Sequence, residues 1–473
     1  MRKKSLKSFL SVLLSVFTIS CSLQSITVGN VSLILPSRAN GDGSSTMLNV
    51  ELVNNKNIVY SETTSKTDLL IKNIPIGHYL LKISGQDYAY NYYGEKEVDV
   101  VADKTVGADV EVKKDLVGTE VSTFADLKTK IEDLNGPDVI SISANLNTDK
   151  LTKGIVVNRN VTIKTAPNVG NVRILRKKDL ATTEPLFSVE PNVTLTIQGR
   201  SDSNIVLDGG SNESDAVTCK APFIRAYGNL SLEYCFLQNN NNTEKGTTKY
   251  LYGGAIYCGI NESTQATSPE VHQLKFNHVT IKNITTVKVG AVYVFNSTNF
   301  KTSISINNST FEANKIDQGA LHLYNSSKNA EWSLSATVSN SVIQNNKAQS
   351  HGGGIYVDNS ILTINNTSIK SNSTGAAGGG MYIKGTLSEI VIDNIEQSIN
   401  HNEAKTNSAT GKGGGINIQG GKLSILHGSI SENTAYGNGG NGNNLYAQNC
   451  IVNDKEITSG TGEDTEVGPT TYK

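Results

Sequence analysis

The chain has 473 residues, and its 42 basic side chains nearly balance 43 acidic ones, for a formal net charge of −1. Binding to phosphates needs a basic excess or a basic stripe, so we expect no nucleic-acid partner. Charged residues make up only 18% of the chain, and glycines greatly outnumber prolines, 43 to 9. This composition is typical of many short strands joined by tight turns. At this length, several domains or one elongated repetitive domain are expected rather than a single compact core.

The first 21 residues have the pattern of a bacterial export signal. Four basic residues among the first seven precede an apolar stretch over residues 9–19, which is too short to span a membrane as a helix. The segment Thr-Ile-Ser-Cys that ends at Cys21 resembles the lipobox of bacterial lipoproteins, although Thr18 stands where that family usually has Leu. The resemblance implies a signal peptide over residues 1–21 with a lipid attached to Cys21. Plain secretion with cleavage nearby is the alternative.

A lipid at Cys21 would make the membrane a partner of this protein. Each buried methylene of an acyl chain contributes roughly 0.8 kcal/mol, so several chains on one residue anchor firmly. No later stretch reaches the ~20 apolar residues of a membrane helix. We therefore expect a tethered protein at the outer membrane or cell surface, with a periplasmic or secreted location as the alternative.

The remaining cysteines and the histidines do not predict a metal site or a cofactor. No pair among Cys219, Cys235, Cys258 and Cys450 has the spacing of a zinc knuckle, and the seven histidines show no metal-binding spacing either. One disulfide among the first three cysteines is an open alternative. The favoured interpretation is free thiols that pack as small apolar side chains.

Residues 25–115 read as a small β-sandwich, because apolar runs alternate with turn signals such as Asn-Gly-Asp-Gly at 40–43. The phrase Ile-Pro-Ile-Gly-His-Tyr-Leu-Leu-Lys-Ile at 74–83 resembles the signature of prealbumin-like modules. Such modules occur in bacterial surface proteins and in carboxypeptidase regulatory domains. The resemblance implies a prealbumin- or Ig-like sandwich that acts as a spacer.

A short helix is predicted next, at the start of a β-helix over residues 120–452. Thr123 is a suitable N-cap, and Gly136 with the following proline stops the helix. The apolar residues recur at helical spacing: Phe124, Leu127, Ile131 and Leu134. One amphipathic helix before many short strands suits a cap that covers the open end of the solenoid.

Two short motifs then occur six times each. The first motif reads apolar-x-x-Asn and ends at Asn239, Asn314, Asn346, Asn372, Asn402 and Asn433. The second motif reads Gly-small-apolar-x-apolar and begins at Gly254, Gly290, Gly319, Gly353, Gly379 and Gly414. Strand-rich units that recur every 26–36 residues with insertions predict a solenoid of stacked β-coils.

Repeated Gly-Gly-Ala-Ile with Phe-x-x-Asn resembles the polymorphic outer membrane protein repeat, found on surface and autotransported β-helix proteins. The resemblance covers about residues 224–450 and implies a right-handed parallel β-helix with a pectin-lyase-like fold. Full-length members of that family carry a C-terminal outer-membrane barrel. This sequence has no matching run of ten-residue alternating strands, so we expect the lipid at Cys21 to provide the anchor.

The repeated side chains have expected places in each coil. The asparagines are predicted to form an internal ladder of stacked amides with a structural role. The residue between the two apolar positions of each glycine motif should point outward and stack from coil to coil. This outward ladder comprises Tyr257, Tyr293, His322, Tyr356, Tyr382, Asn417 and Tyr446. It either covers and stabilises the sheet by cross-strand pairing or forms a platform for sugars or a partner protein.

An enzyme is the rival hypothesis, because polysaccharide lyases and hydrolases share this fold. Hydrolysis needs clustered carboxylates, yet Asp317, Asp358 and Asp393 are scattered along the repeats. Lyases of this fold use an Arg or Lys base with calcium-binding aspartates, and the last arginine is Arg225. His351, in Ser-His-Gly, only superficially resembles a hydrolase motif. We therefore expect no catalytic residues.

The sequence predicts a lipid-anchored surface protein that presents an adhesive or antigenic face to a host or cell-surface protein or glycan. A carbohydrate-binding module that uses the tyrosine ladder is the first alternative, and a polysaccharide lyase or hydrolase is the second. The polar, Gly- and Thr-rich residues 453–473 show no apolar period and are expected to be disordered.

Overall fold

The computed structural model describes residues 27–35, 47–55, 57–86, 90–116, 118–166, 169–212, 218–243, 252–259, 271–296, 301–327, 333–404, 411–436, 442–458, 461–463 and 467–468. The chain divides into two compact units, Met1–Val117 and Gly118–Lys473. The described elements are strands apart from one helix, so the prediction of an all-β protein is confirmed.

The first unit contains two sheets that share one apolar core. Its strands are β1 (Val28–Ile34), β2 (Leu48–Asn54), β3 (Asn57–Thr64), β4 (Asp68–Pro75), β5 (Gly77–Gln86), β6 (Tyr90–Val100), β7 (Thr105–Ala108) and β8 (Lys113–Leu116). One sheet has the order β4-β1-β7, and the other has the order β3-β2-β5-β6-β8. Alternate residues of both sheets, such as Val31, Leu33, Val50 and Leu81, are buried together, which is the packing of a β-sandwich.

The second unit begins with β9 (Thr119–Val121) and the helix α1 (Phe124–Glu132). The Thr123 side chain caps α1 by accepting a hydrogen bond from the Asp126 amide. Phe124, Leu127 and Ile131 are buried in the core of the first coils, as the helical spacing predicts. The fourth predicted member of this face, Leu134, follows the end of the helix and is 69% exposed.

Apart from four strands of 10–12 residues, the remaining strands of the second unit are short. In chain order they are β10 (Val139–Ile142), β11 (Leu146–Asn147), β12 (Ile155–Val157), β13 (Val161–Thr165), β14 (Val172–Leu175), β15 (Phe187–Val189), β16 (Thr194–Gln198), β17 (Ile205–Asp208), β18 (Ile224–Ala226), β19 (Asn229–Gln238), β20 (Asn241–Asn242), β21 (Ile256–Cys258), β22 (Val271–Lys282), β23 (Thr285–Thr286), β24 (Val292–Asn296), β25 (Lys301–Asn307), β26 (Thr310–Glu312), β27 (Lys315–Ile316), β28 (Leu321–Asn325), β29 (Leu334–Ser339), β30 (Val342–Gln344), β31 (Lys347–Ala348), β32 (Ile355–Asp358), β33 (Ile361–Asn365), β34 (Ser368–Lys370), β35 (Ser373–Thr374), β36 (Met381–Lys384), β37 (Glu389–Asn400), β38 (Glu403–Ala404), β39 (Ile416–Gln419), β40 (Lys422–Ser431), β41 (Thr434–Ala435), β42 (Leu445–Gln448), β43 (Cys450–Val452), β44 (Lys455–Ile457) and β45 (Thr461–Glu463).

These strands stack coil upon coil in three sheets of the described chain. The eleven-stranded sheet has the order β12-β15-β18-β21-β24-β28-β32-β36-β39-β42-β45, and the seven-stranded sheet has the order β20-β23-β27-β31-β35-β38-β41. The third, the long sheet, consists of two parallel ladders. The first ladder includes β25, β29 and β33, and the second includes β26, β30 and β34. The long strands β19, β22, β37 and β40 run through both ladders.

A typical coil passes once through each of these layers. In one coil, β29 and β30 lie in the long sheet, β31 lies in the seven-stranded sheet and β32 lies in the eleven-stranded sheet. Each strand pairs in parallel with its equivalent in the next coil, for example β32 with β36. This arrangement is consistent with a solenoid of the β-helix class. The inward pairs of the glycine motif, such as Ile355 and Val357, lie in one continuous buried core.

The C-terminal segment reverses direction on the last coil. Asn453 and Asp454 both have positive φ, 46° and 67°, and form a two-residue turn that pairs β44 antiparallel with β43. The strand β45 pairs antiparallel with β42, and Val467 exchanges backbone hydrogen bonds with Ile430. The expectation that residues 453–473 are disordered is therefore wrong for the described part of this segment. The pairing satisfies backbone groups that the last parallel strands would otherwise leave open.

Removal of this terminal cover is expected to expose a sheet edge that can pair with a second molecule. We expect deletion of residues 454–473 to lower the melting temperature and to produce larger species by light scattering after gel filtration. Deletion of residues 469–473 alone is the control, because it leaves β44 and β45 in place. Identical masses and melting temperatures for the full chain and the longer deletion would contradict this role.

Candidate functional site

Seven coils of the described chain contain a corner between the second ladder of the long sheet and the seven-stranded sheet, and this corner has two residues in each of them. The first residue of each corner has left-handed backbone geometry, with φ between 53° and 58°. These first residues are Asn239, Asn283, Ala313, Asn345, Ser371, His401 and Glu432. The second residue points inward and is an asparagine in all of these corners except one, where it is Ile284.

Five of the predicted ladder asparagines lie in one buried column. Their side-chain amides donate from one coil to the next at 2.8–3.0 Å, from Asn314 to Asn346, Asn372, Asn402 and Asn433 in turn. The second N–H of each amide donates to a backbone carbonyl, as Asn372 does to Ile343 at 2.9 Å. Each side-chain oxygen also accepts from the backbone amide of the previous asparagine. The column ends on Asn444, which accepts from Asn433 at 3.1 Å and was not predicted.

The sixth predicted member, Asn239, lies outside this column. The register places Leu237, not Phe236, level with Ile281 and Phe311 of the following coils. Asn240 therefore occupies the inward position and donates to the Gly254 carbonyl at 2.6 Å. The prediction for Asn239 is wrong by one residue.

Asn239 instead forms the left-handed corner and donates to the carboxylate of Asp208 at 3.3 Å. Phe236 is partly exposed, and the ammonium group of Lys282 lies 5.4 Å from the centre of its ring. The alternation of buried residues along β19 ends at Leu237, and this alternation is the sequence signal that would have identified Asn240.

The predicted outward ladder also forms a column in register. Tyr257 pairs with Tyr293, and the column continues through each following strand of the eleven-stranded sheet. Its further members are His322, Tyr356, Tyr382, Asn417 and Tyr446. The alternative of an exposed platform is wrong, because every member is at most 7% exposed.

A second layer of chain covers this column. The segment that enters each strand of the eleven-stranded sheet from β21 to β42 turns at a residue with left-handed backbone geometry, and in three of these coils the residue before this turn contacts the column. Tyr252 precedes Gly253 and contacts the ring of Tyr293 at 5.9 Å between centroids, while His351 precedes Gly352 and contacts Tyr382 at 4.4 Å. Lys412 precedes Gly413, and its ammonium lies 4.4 Å from the Tyr446 ring. The tyrosines are thus the inner side of a covered layer.

Burial determines the protonation of two members of this column, His322 and Tyr356. Burial lowers the pKa of His322 to about 3, with a smaller lowering by the charge of Lys384 and a smaller raising by the Gln318 backbone. The imidazole is therefore neutral at physiological pH, between Tyr293 and Tyr356 at centroid distances of 4.9 and 4.3 Å. Burial also raises the pKa of Tyr356 to about 12. Both side chains are therefore uncharged at neutral pH.

A second column on the same face was not predicted. It lies two residues further along each strand, and its members are Phe295, Tyr324, Asp358, Lys384, Gln419 and Gln448. The rings of Phe295 and Tyr324 are partly exposed, with centroids 5.6 Å apart. Lys384 Nζ lies 3.1 Å from Asp358 Oδ2. Strand alternation carried two residues further would have identified this column, which we call the outer column.

A groove of about 810 Å³ begins next to the outer column. It follows the corner between the eleven-stranded sheet and the long sheet over several coils. Short turns that contain Asn359, Gly421 and Asn449 line it, together with the partly exposed apolar side chains of Leu387 and Ile451.

The described cysteines and carboxylates do not form a metal centre. In the part of the chain with described coordinates, no group of three or more His, Cys, Asp or Glu side chains could hold a metal ion. Cys219, Cys235, Cys258 and Cys450 are buried and carry free thiols, and burial raises the pKa of Cys235 to about 12. Cys21 lies outside the described residues. No helix within the described ranges is both long and apolar enough to cross a membrane.

No protein-family model, curated protein or solved structure matches this chain at a significant level. What the protein does is therefore inferred from its own residues and their contacts.

Substitution within the asparagine column should destabilise the solenoid. Asn372→Ala leaves the amide groups of Asn346 and the carbonyl of Ile343 without their buried partners, at a cost of about 1–3 kcal/mol for each unsatisfied group. We expect the free energy of unfolding to fall by about 3 kcal/mol or more in denaturant titrations followed by circular dichroism. Asn365→Ala, which removes a 3.4 Å bond at a partly exposed site, is the control and should cost less than about 1 kcal/mol. Equal losses in the two variants would argue against the column.

The buried histidine predicts an acid-sensitive step in stability. Between pH 6.5 and 3, the unfolded chain binds a proton at His322 that the folded chain does not, so stability falls as the pH falls. His322→Tyr places the residue of the neighbouring coils there and removes this proton. From pH 7 to 4, we expect the native chain to lose on the order of 3 kcal/mol more than this variant in denaturant titrations. The same dependence of stability on pH in the native chain and in His322→Tyr would contradict the assignment.

Proposed function

We propose that this protein is a lipid-anchored cell-surface scaffold, built as a right-handed parallel β-helix of the pectin-lyase-like type, that presents a binding or antigenic surface and does not catalyse a reaction. One observation carries the proposal: in the described coils from β19 onward, the large variation in length lies in two connections of each coil, while the asparagine corner keeps two residues in all seven coils that contain it.

The two variable connections lie on either side of the eleven-stranded sheet. The connection from this sheet into the long sheet ranges from residues 259–270 to Asn449 alone. The connection from the seven-stranded sheet ranges from residues 243–255 to residues 317–320. A scaffold whose register is fixed by one corner of constant length can vary the length of its other connections without a shift in that register. Variable connections on a rigid support are where recognition residues usually lie.

The anchor of this scaffold rests on the sequence. The lipobox-like segment that ends at Cys21 supports export and lipid attachment. The likeness of residues 224–450 to polymorphic outer membrane protein repeats supports a place on the cell surface. In this proposal, the β-sandwich unit acts as a spacer between the lipid and the solenoid.

The separation of the carboxylates in the repeats supports a non-catalytic role. Asp317 accepts from the Ser350 hydroxyl, Asp358 pairs with Lys384, and Asp393 lies 2.6 Å from His427. Glycoside hydrolysis instead needs two carboxylates that face one another across the scissile bond. Each of these three aspartates has a different local partner, which favours structural and surface roles.

The test is protease treatment of intact cells that express the native chain, Cys21→Ala or Cys450→Ala. We expect the native chain to remain cell-bound and to be degraded from outside, and Cys21→Ala to be released into the medium. Cys450→Ala is the control, since it removes a cysteine but leaves the lipid site. Protection of the native chain until the cells are lysed would place it in the periplasm and exclude the surface role.

A further inference from the structure

We propose that the first four members of the outer column, Phe295, Tyr324, Asp358 and Lys384, form a binding site for an uncharged saccharide chain that lies along the stacking direction of the coils. This inference rests on the proposed function, because it assigns a ligand class to the surface that the scaffold presents. It replaces the tyrosine ladder as the candidate sugar platform, since that ladder is covered.

The register aligns the four side chains. Phe295 pairs with Tyr324, Tyr324 with Asp358, and Asp358 with Lys384, each across adjacent parallel strands. Parallel strands lie about 4.8 Å apart, so the four positions span about 14 Å. A line of this length suits a short run of linked sugar rings better than a single small molecule. The sheet fixes the spacing, so the site does not need to be assembled when the ligand binds.

Phe295 and Tyr324 supply the apolar part of the site. Each ring is partly exposed and packs against the buried cluster of Tyr227, Tyr257 and Tyr293. This support holds the two rings in place while part of each side chain stays accessible to solvent. The C–H face of a sugar ring is apolar and packs well on such rings, while its hydroxyl groups need polar partners nearby.

Asp358 and Lys384, in the two coils that follow Tyr324, supply these polar partners. The Asp358 side chain is 8% exposed and accepts from Lys384 and from Asn359 at 3.1 and 3.0 Å, whereas the Lys384 side chain is 45% exposed. Although burial, the largest influence, lowers the pKa of Lys384, Tyr356 and Asp358 together raise it above its ordinary value. The ammonium therefore stays charged at neutral pH. It can donate to one hydroxyl of a sugar while the carboxylate accepts from the next.

The charges of this site favour an uncharged saccharide over an acidic one. Lys384 and Asp358 neutralise one another, and the next two positions of the column are the uncharged side chains of Gln419 and Gln448. An acidic saccharide would place its carboxylates beside Asp358, which offers an anion no compensating donor. Neutral hydroxyl groups can use both members of the ion pair and the amides that follow.

The experiment uses the purified full chain with Cys21→Ala, which avoids the lipid. The probes are neutral oligosaccharides of glucose, mannose, xylose and N-acetylglucosamine, together with oligouronates, on an array and then by calorimetry. We expect binding to at least one neutral series. Tyr324→Ala and Lys384→Met should each weaken this binding by about tenfold, while Tyr324→Phe, which keeps the ring, should retain it.

Matched control variants distinguish loss of the binding site from loss of folding. Tyr436→Ala removes an exposed tyrosine elsewhere on the solenoid, and Lys422→Met removes an exposed lysine that pairs with Asp454. Both should bind as the parent chain does, and melting temperatures report folding for every variant. A flat array, preference for oligouronates, or binding that Tyr324→Ala and Lys384→Met leave unchanged would overturn the site. If the array is flat but protease degrades the chain on intact cells, the saccharide site is excluded and the surface scaffold remains supported. If the chain binds sugars but is protected until the cells are lysed, only the surface role is excluded.

Discussion

The backbone of a parallel coil can satisfy its N–H and C=O groups only through the coils on either side, and the whole solenoid depends on this constraint. A slip of one residue would turn the apolar side chains of a strand to the opposite face. The asparagine corner prevents such a slip. One N–H of Asn372 donates to the next asparagine, the other donates to a backbone carbonyl, and the side-chain oxygen accepts two bonds from the previous coil. An amide with all of these bonds made in the core fixes the register of each coil against the next.

The constant length of the asparagine corner also explains why the tyrosine face of the eleven-stranded sheet, which the sequence predicts to point outward, is covered in the structure. Once the register is fixed, the segments that enter β21 to β42 of the eleven-stranded sheet each turn tightly two or three residues before the strand begins. Six of the seven turns described use glycine at the left-handed position, and Val289, with φ of 55°, is the exception. A β-branched residue is strained in this geometry, and Val289 packs against the same aromatic cluster that supports Phe295 and Tyr324. The tyrosines therefore hold two layers of chain together, and the exposed chemistry lies in the outer column.

Much of the fold could be predicted because its signals are local. The alternation of Ile355 and Val357, the Thr123 cap and the spacing of the asparagines each depend on only a few neighbouring residues. The predictions that were wrong concern positions that depend on contacts with other coils. Phe236 and Leu237 are both apolar, so only the pairing with the next coil places Asn240 rather than Asn239 inward. The burial of the tyrosines depends on chain from neighbouring turns, which strand alternation cannot reveal.

The outer column has the properties of a surface that can change without loss of the fold. Its side chains contribute neither to the continuous apolar core nor to the asparagine column, so substitutions there leave the contacts that set the register intact. It also lies at the end of the strands, directly before the connection that varies most in length. A change in that connection alters what surrounds Phe295 or Tyr324 while the sheet keeps the two rings aligned. Under the proposed function, stability and recognition thus belong to different corners of the same coil, and the binding surface can diversify while the scaffold remains constant.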